Sequence, residues 1–82
     1  MKTPDWHNRY LLQARWTKNL RRFIFDKLNA TPGQSVLDVG AGTGALYEDF
    51  KSHGLKPCGV EIDFDRAAYA SKLTKDVPTI NA

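Results

Sequence analysis

The stretch Ser35-Val36-Leu37-Asp38-Val39-Gly40-Ala41-Gly42-Thr43-Gly44, with Glu61 downstream, decides how this chain is read. Ser35 to Val39 is short, apolar and β-branched, the pattern of a buried strand. It runs directly into a glycine-rich loop, where the backbone can turn sharply and approach a ligand closely. A helix expected from Ala45 to His53 would present unpaired N–H groups at its start. In open α/β sheets, ligands bind at the carboxyl ends of the strands, where this loop lies. Glu61 follows Gly40 by twenty-one residues, at the expected end of a second strand. A carboxylate there can accept hydrogen bonds from both hydroxyls of a ribose.

Working outward, Leu46, Phe50 and Tyr47 should face inward from the first helix after the loop, and Gly54 is a natural C-cap for it. Lys56 to Ile62 reads as the second strand, Asp63 as the cap of a helix from Phe64 to about Leu73, and Val77 to Ile80 as a third strand. Upstream, Thr3 suits an N-cap, with Pro4 and Asp5 in the first turn. No glycine or proline interrupts the chain from there to Leu28. Leu12, Trp16, Leu20, Phe23 and Ile24 recur at three- and four-residue steps as one apolar stripe, with Arg15, Lys18, Arg22 and Lys27 largely off it. Asn29 to Gln34 then breaks the helix. The expected fold class is α/β. It is the first half of a Rossmann-like doubly wound parallel sheet of about three strands, with right-handed crossovers, preceded by a long N-terminal helix. Residues 1–82 read as one domain, with a lead helix over 1–30 and a βαβαβ unit over 35–82.

Composition narrows the class further. The chain has 82 residues, so its core is small, and no apolar run is long enough to cross a bilayer. The N-terminus lacks the apolar core of a signal peptide. A lone cysteine, Cys58, cannot form an internal disulfide, and a reducing cytoplasm is the expected setting. Net charge is +3 but uneven, because residues 1–30 carry seven basic and two acidic side chains. That segment can touch an anionic ligand, yet it reads best as a solvated helix face. Nucleic acid is not an expected partner, and neither is a membrane.

Two cofactors compete for the loop geometry. Gly40 to Ala45 also satisfies the dinucleotide fingerprint, with Ala45 in the third glycine's place, so an NAD(P)-dependent oxidoreductase is one alternative. Asp38 argues against it. A carboxylate beside the loop repels a doubly anionic pyrophosphate. The same carboxylate attracts the ammonium and sulfonium of S-adenosylmethionine, which has no phosphate.

Asp38-Val39-Gly40-Ala41-Gly42-Thr43-Gly44 resembles the first motif of class I S-adenosylmethionine-dependent methyltransferases, and Gly59-Val60-Glu61-Ile62-Asp63 resembles the segment that follows it. The resemblance implies Asp38, Gly40, Ala41, Gly42 and Gly44 around the methionine part of the cofactor. It implies Glu61 on the ribose and Ile62 against the adenine. Arg9 to Thr17 looks like the lead helix of some small-molecule members, which makes Arg9, Tyr10, Gln13, Trp16 and Thr17 candidates to reach the cofactor. A small-molecule methyl acceptor is implied by that helix alone. Cys58 reads as a small apolar filler, and Asp63 and Asp65 as a helix start. His7 and His53 stand apart from other ligand types, so no metal site is expected.

The resemblance covers nearly the whole chain but only the first half of the family's domain. The residues that hold the adenine amino group and meet the acceptor lie beyond it in the family, and no catalytic residue is assigned. Val36, Leu37 and Val39 would form an apolar strand with an open edge, which invites association. The expectation is therefore a truncated, cofactor-binding fragment, inactive alone, of a parent methyltransferase. A non-catalytic cofactor-binding remnant is the other alternative.

Overall fold

In a computed structural model, residues 2–82 form α1 (Thr3–Trp16), α2 (Lys18–Lys27), β1 (Ser35–Val39), α3 (Tyr47–Ser52), β2 (Lys56–Glu61), α4 (Phe64–Leu73) and β3 (Thr79–Asn81). The three strands are parallel and ordered β1-β2-β3. Ser35 pairs with Lys56 and the register holds through Val39 opposite Val60. Gly59 to Glu61 then pair with Thr79 to Asn81. Both connections step in the same direction across the sheet, so right-handed crossovers place α3 and α4 on one face. Burial agrees. Val36, Asp38, Pro57, Gly59 and Glu61 alternate onto the covered face, whereas Leu37 and Val39, 60 % and 76 % exposed, lie on the open one.

The core sits under α3 and α4. Tyr47 is fully buried there with Ala41, Ala70 and Val77, and its hydroxyl is 2.7 Å from Thr79 Oγ1. Burial raises the Tyr47 phenol above its ordinary pKa. The helix ends as Gly54 predicts: Gly54 N–H donates to Lys51 O and Leu55 N–H to Phe50 O, with Gly54 at φ +76°. That pair of bonds is a Schellman motif. Asp63 caps α4, its carboxylate accepting from Arg66 N–H at 2.9 Å.

Several boundaries differ from the sequence reading. Helix α3 begins at Tyr47 rather than Ala45, because Gly44 at φ +79° closes a separate turn, Gly44 N–H to Ala41 O, before the helix can start. Strand β3 begins at Thr79 rather than Val77. Val77 N–H is spent on Thr74 O, and Pro78 has no N–H to give the ladder. Residue Lys2, not Thr3, precedes the first helical residue, and Asp5 accepts the Lys2 backbone N–H at 3.0 Å.

The lead helix is two helices. Thr17 lies between them at φ −101°, ψ 6°. Its hydroxyl back-bonds to Gln13 O and Ala14 O, an arrangement that bends helices. Arg21 fixes the bend by binding Thr17 Oγ1 and donating to Ala14 O, while its Nε donates to Asp49 of α3 at 2.7 Å. The face turned to the rest of the molecule carries Trp6, His7, Tyr10, Ala14, Arg21 and Phe25. Phe25 packs edge-on against Phe50. The stripe of Leu12, Trp16, Leu20, Phe23 and Ile24 lies off this face and is exposed.

Gly59 marks the tightest point. A Cβ there would coincide with Tyr47 Oη and lie 2.8 Å from Ala41 Cβ. Overpacking of this kind costs about 1–3 kcal/mol, with more expected where the obstacle is a fully buried ring. Gly59→Ala should therefore lower the unfolding free energy measured by urea denaturation by that amount, or abolish the cooperative transition altogether.

Candidate functional site

The loop after β1 is tied to the end of β2 by a short set of hydrogen bonds. Gly40 and Ala41 N–H both donate to Val60 O, at 2.8 and 3.0 Å. Gly42 N–H donates to Glu61 Oε1 at 2.7 Å, and Asp63 N–H to Glu61 Oε2 at 2.7 Å. Glu61 is buried, and its own carbonyl accepts from Asn81 Nδ2 and from Ala82 N–H. The carboxylate thus holds both edges of the site open at a fixed width. Each oxygen keeps lone-pair capacity for a second donor. Gly42, at φ +60°, adopts a conformation that a side chain would strain, and the Tyr10 ring lies directly over it.

Beneath α1 this leaves a cavity of about 420 Å³, in the range of small-molecule sites. Of the residues singled out from the sequence, Tyr10, Gln13, Thr17, Asp38, Gly40, Ala41, Gly42 and Glu61 line it together. Four do not. Gly44 faces Tyr47 and Ala70, where a Cβ would lie 2.6 Å from the Tyr47 ring, so its place is in the core. Ile62 is 84 % exposed beyond the strand. Arg9 lies over the Trp6 ring, and Trp16 is 74 % exposed at the end of α1. The one-turn spacing of Arg9, Gln13 and Trp16 suggests a shared face, but the α1 face that meets the loop is centred on His7, Tyr10 and Ala14.

Four lining residues escape the sequence reading: Ala14, Ala45, Leu46 and Arg66. Arg66 is the most informative. Its guanidinium lies 5.5 Å over the Trp6 ring and 5.8 Å from that of Tyr10, so it joins α4 to α1 at the rim. Its position one turn after the Asp63 cap is the signal that could have located it. His7, set aside in the sequence as isolated, is a buried fastener. Its Nδ1 is 2.7 Å from Thr43 Oγ1, and its ring packs on Tyr69. Burial lowers the His7 pKa, which keeps the ring neutral at pH 7. Among the described residues, no group of three or more histidine, cysteine or acidic side chains could hold a metal.

Asp38 is the site's unsatisfied group. Its Oδ2 is buried without a hydrogen-bond partner. Its pKa is raised, first by desolvation and then by the negative charge of Glu61. A carboxylate left this way is complementary to a cationic N–H donor entering the cavity. The same strain has a pH signature. With a folded-state pKa above the ordinary 3.8, the folded protein holds the Asp38 proton more tightly than the unfolded chain does. The resulting stability is full below 3.8 and is lost as pH rises through the raised value. Asp38→Asn should therefore raise the melting temperature at pH 7 and flatten that part of the stability curve, as read by thermal scans from pH 3 to 8.

No family model matches the chain. It is 33 % identical over 64 residues to a demethylmenaquinone methyltransferase of Renibacterium salmoninarum, covering 78 % of this chain and 27 % of that protein. A probable fatty acid methyltransferase of Mycobacterium tuberculosis is 32 % identical over 59 residues, 72 % of this chain and 14 % of its own length. The chain thus spans about a quarter or less of these relatives. Among solved structures, a SAM-dependent methyltransferase from Geobacter sulfurreducens in complex with S-adenosyl-L-homocysteine superposes with a TM-score of 0.55 at 25 % identity, over 74 % of this chain and 27 % of that one. In sequence and fold, this chain is therefore similar to part of the S-adenosylmethionine-dependent methyltransferases.

Proposed function

We propose that this chain is the cofactor-binding portion of an S-adenosylmethionine-dependent methyltransferase that acts on a small-molecule acceptor. The single observation that carries the reading is the buried, unpartnered Asp38 carboxylate in the wall of the cavity between the glycine loop and α1. It favours a cationic amino-acid moiety and disfavours the pyrophosphate of a dinucleotide.

In this reading Asp38 accepts from the ligand's ammonium, and the Gly40 to Gly42 backbone lies along the methionine portion. Glu61 turns its remaining lone pairs to the ribose, and Ile62 packs against the adenine. Tyr10, Gln13 and Thr17 close the cavity from above. Gly44 supports the loop from the core side, and Arg9 and Trp16 are left without a ligand role. S-adenosylmethionine, when bound, supplies an already activated methyl sulfonium. The chain's own contribution is to hold that group in position while α1 and Leu46 exclude water from one side. No base toward an acceptor is assigned among these residues.

The names of the two relatives support a small-molecule acceptor, since one refers to a quinone and the other to a fatty acid. The open sheet face with Leu37 and Val39 supports the view that the chain is part of a larger domain and is inactive alone. The lone thiol Cys58, partly buried in β2, fits a reducing cytoplasm.

Calorimetric titration of the chain with S-adenosylhomocysteine and with NADH tests the assignment. Binding of the first and not the second is expected. Asp38→Asn, although more stable, should bind S-adenosylhomocysteine about tenfold or more weakly, the scale of a lost charge-assisted hydrogen bond. Unchanged affinity in that variant would refute the role of Asp38, and preferential NADH binding would refute the cofactor class.

A further inference from the structure

Arg66 of α4 lies at the rim of the cavity without an acidic partner. Among the described residues it enters no ion pair, although Asp63 and Asp65 are its neighbours in sequence. Its guanidinium lies instead 5.5 Å from the Trp6 ring centroid and 5.8 Å from that of Tyr10. Those two rings stack on each other, their centroids 5.8 Å apart. One planar cation is thus shared by two side chains a single turn apart on α1. Little else holds that helix down. His7 is the one buried residue of α1, whereas Leu11, Leu12 and Trp16 are exposed.

The same arginine closes a circuit of contacts around the mouth of the cavity. Glu61 Oε2 accepts from Asp63 N–H at 2.7 Å, and the Asp63 carboxylate accepts from Arg66 N–H at 2.9 Å. The Arg66 guanidinium reaches the Tyr10 ring, which lies over Gly42 so closely that a Cβ there would be 3.7 Å away. Gly42 N–H then returns to Glu61 Oε1 at 2.7 Å. The acid at the end of β2, the start of α4, the face of α1 and the glycine loop are therefore mechanically joined. Arg66 and Tyr10 line the cavity, but Trp6 does not. Trp6 can act on the cavity only through these two neighbours.

We propose that Arg66 is a positioning residue of this cavity: clasped by Trp6 and Tyr10, it holds α1 over the glycine loop and so sets how long a ligand between them is retained. The guanidinium suits this duty because its flat face lies against both rings while its charge stays at the rim. Without it, Tyr10 rests on Gly42 by van der Waals contact alone, and α1 is left to the His7–Thr43 bond and the bend at Thr17. The effect on helix position holds whatever the cavity binds. The effect on ligand release rests on the S-adenosylmethionine site proposed above.

Hydrogen exchange along the 82-residue chain tests the first effect without any ligand. Arg66→Gln should speed exchange of the α1 amides about fivefold or more, and Trp6→Leu about twofold or more, while β1 and β2 exchange as in the parent. The double variant should exchange no faster than Arg66→Gln, because both changes break one contact. Arg9→Gln should leave α1 as it is, since the contact of Arg9 with Trp6 lies within that helix. Release of bound S-adenosylhomocysteine, followed by displacement, should quicken in both Arg66→Gln and Trp6→Leu, and Arg66→Lys should keep only part of the retention. Unchanged α1 exchange in both variants would overturn the proposal, as would an equal rise throughout β1 and β2. Faster release from Arg66→Gln but not from Trp6→Leu would make Arg66 a direct ligand contact and overturn it as well. The expected exchange in a chain whose parent binds no S-adenosylhomocysteine would uphold the positioning role and count against the cofactor site instead.

Discussion

The Glu61 carboxylate is the constraint on which the rest of this structure depends. One oxygen holds Gly42 N–H and the other holds Asp63 N–H, so a single buried side chain joins the loop after β1 to the start of α4. Backbone N–H groups that close to the interior need partners, and each lost partner costs about 1–3 kcal/mol. Glu61 is therefore structural and available to a ligand at once, because each oxygen has a lone pair left over. Its negative charge also acts at a distance: it is the second cause, after burial, of the raised Asp38 pKa. The two acids of the site are electrostatically opposed until a cation lies between them and the solvent.

The core supports this arrangement from beneath. Tyr47 fills the space under β2 that Gly59 leaves empty, and its hydroxyl reaches Thr79 on the third strand. Ala41 and Ala70 are small because Tyr47 is large. The glycines at 44 and 59 thus belong to packing, and those at 40 and 42 belong to the loop. A glycine pattern in a sequence does not separate these two duties. That is why Gly44 could be read as a ligand contact when it lies against an aromatic ring.

The strand-loop-helix order, the parallel sheet, the Asp63 cap and the Gly54 terminus were all legible, because each rests on local chemistry that the sequence states outright. The glycine loop after β1 and the acid that ties it to β2 were legible for the same reason. What was not legible depended on which way a helix turns. The spacing of Leu12, Trp16, Leu20 and Phe23 defines an apolar stripe but says nothing of what it faces, and His7 and Tyr10 occupy the inner side instead. The bend at Thr17 was hidden because threonine is neither glycine nor proline, and its effect needs Arg21 one turn later and Asp49 on another helix. Arg66 was hidden because its partners Trp6 and Tyr10 are sixty and fifty-six residues away in sequence.

The ladder between β1 and β2 has one offset throughout, each residue facing the one twenty-one positions later. Extended by one step, that same offset sets Gly40 level with Glu61. The spacing between loop and acid is therefore the register of the sheet itself. A strand that slides by one residue turns all its side chains to the opposite face, which would carry Glu61 out of the site and put Val60 in its place. An inserted or deleted residue between the two strands must therefore be absorbed within the connection itself, leaving Val39 opposite Val60 and Glu61 level with the loop.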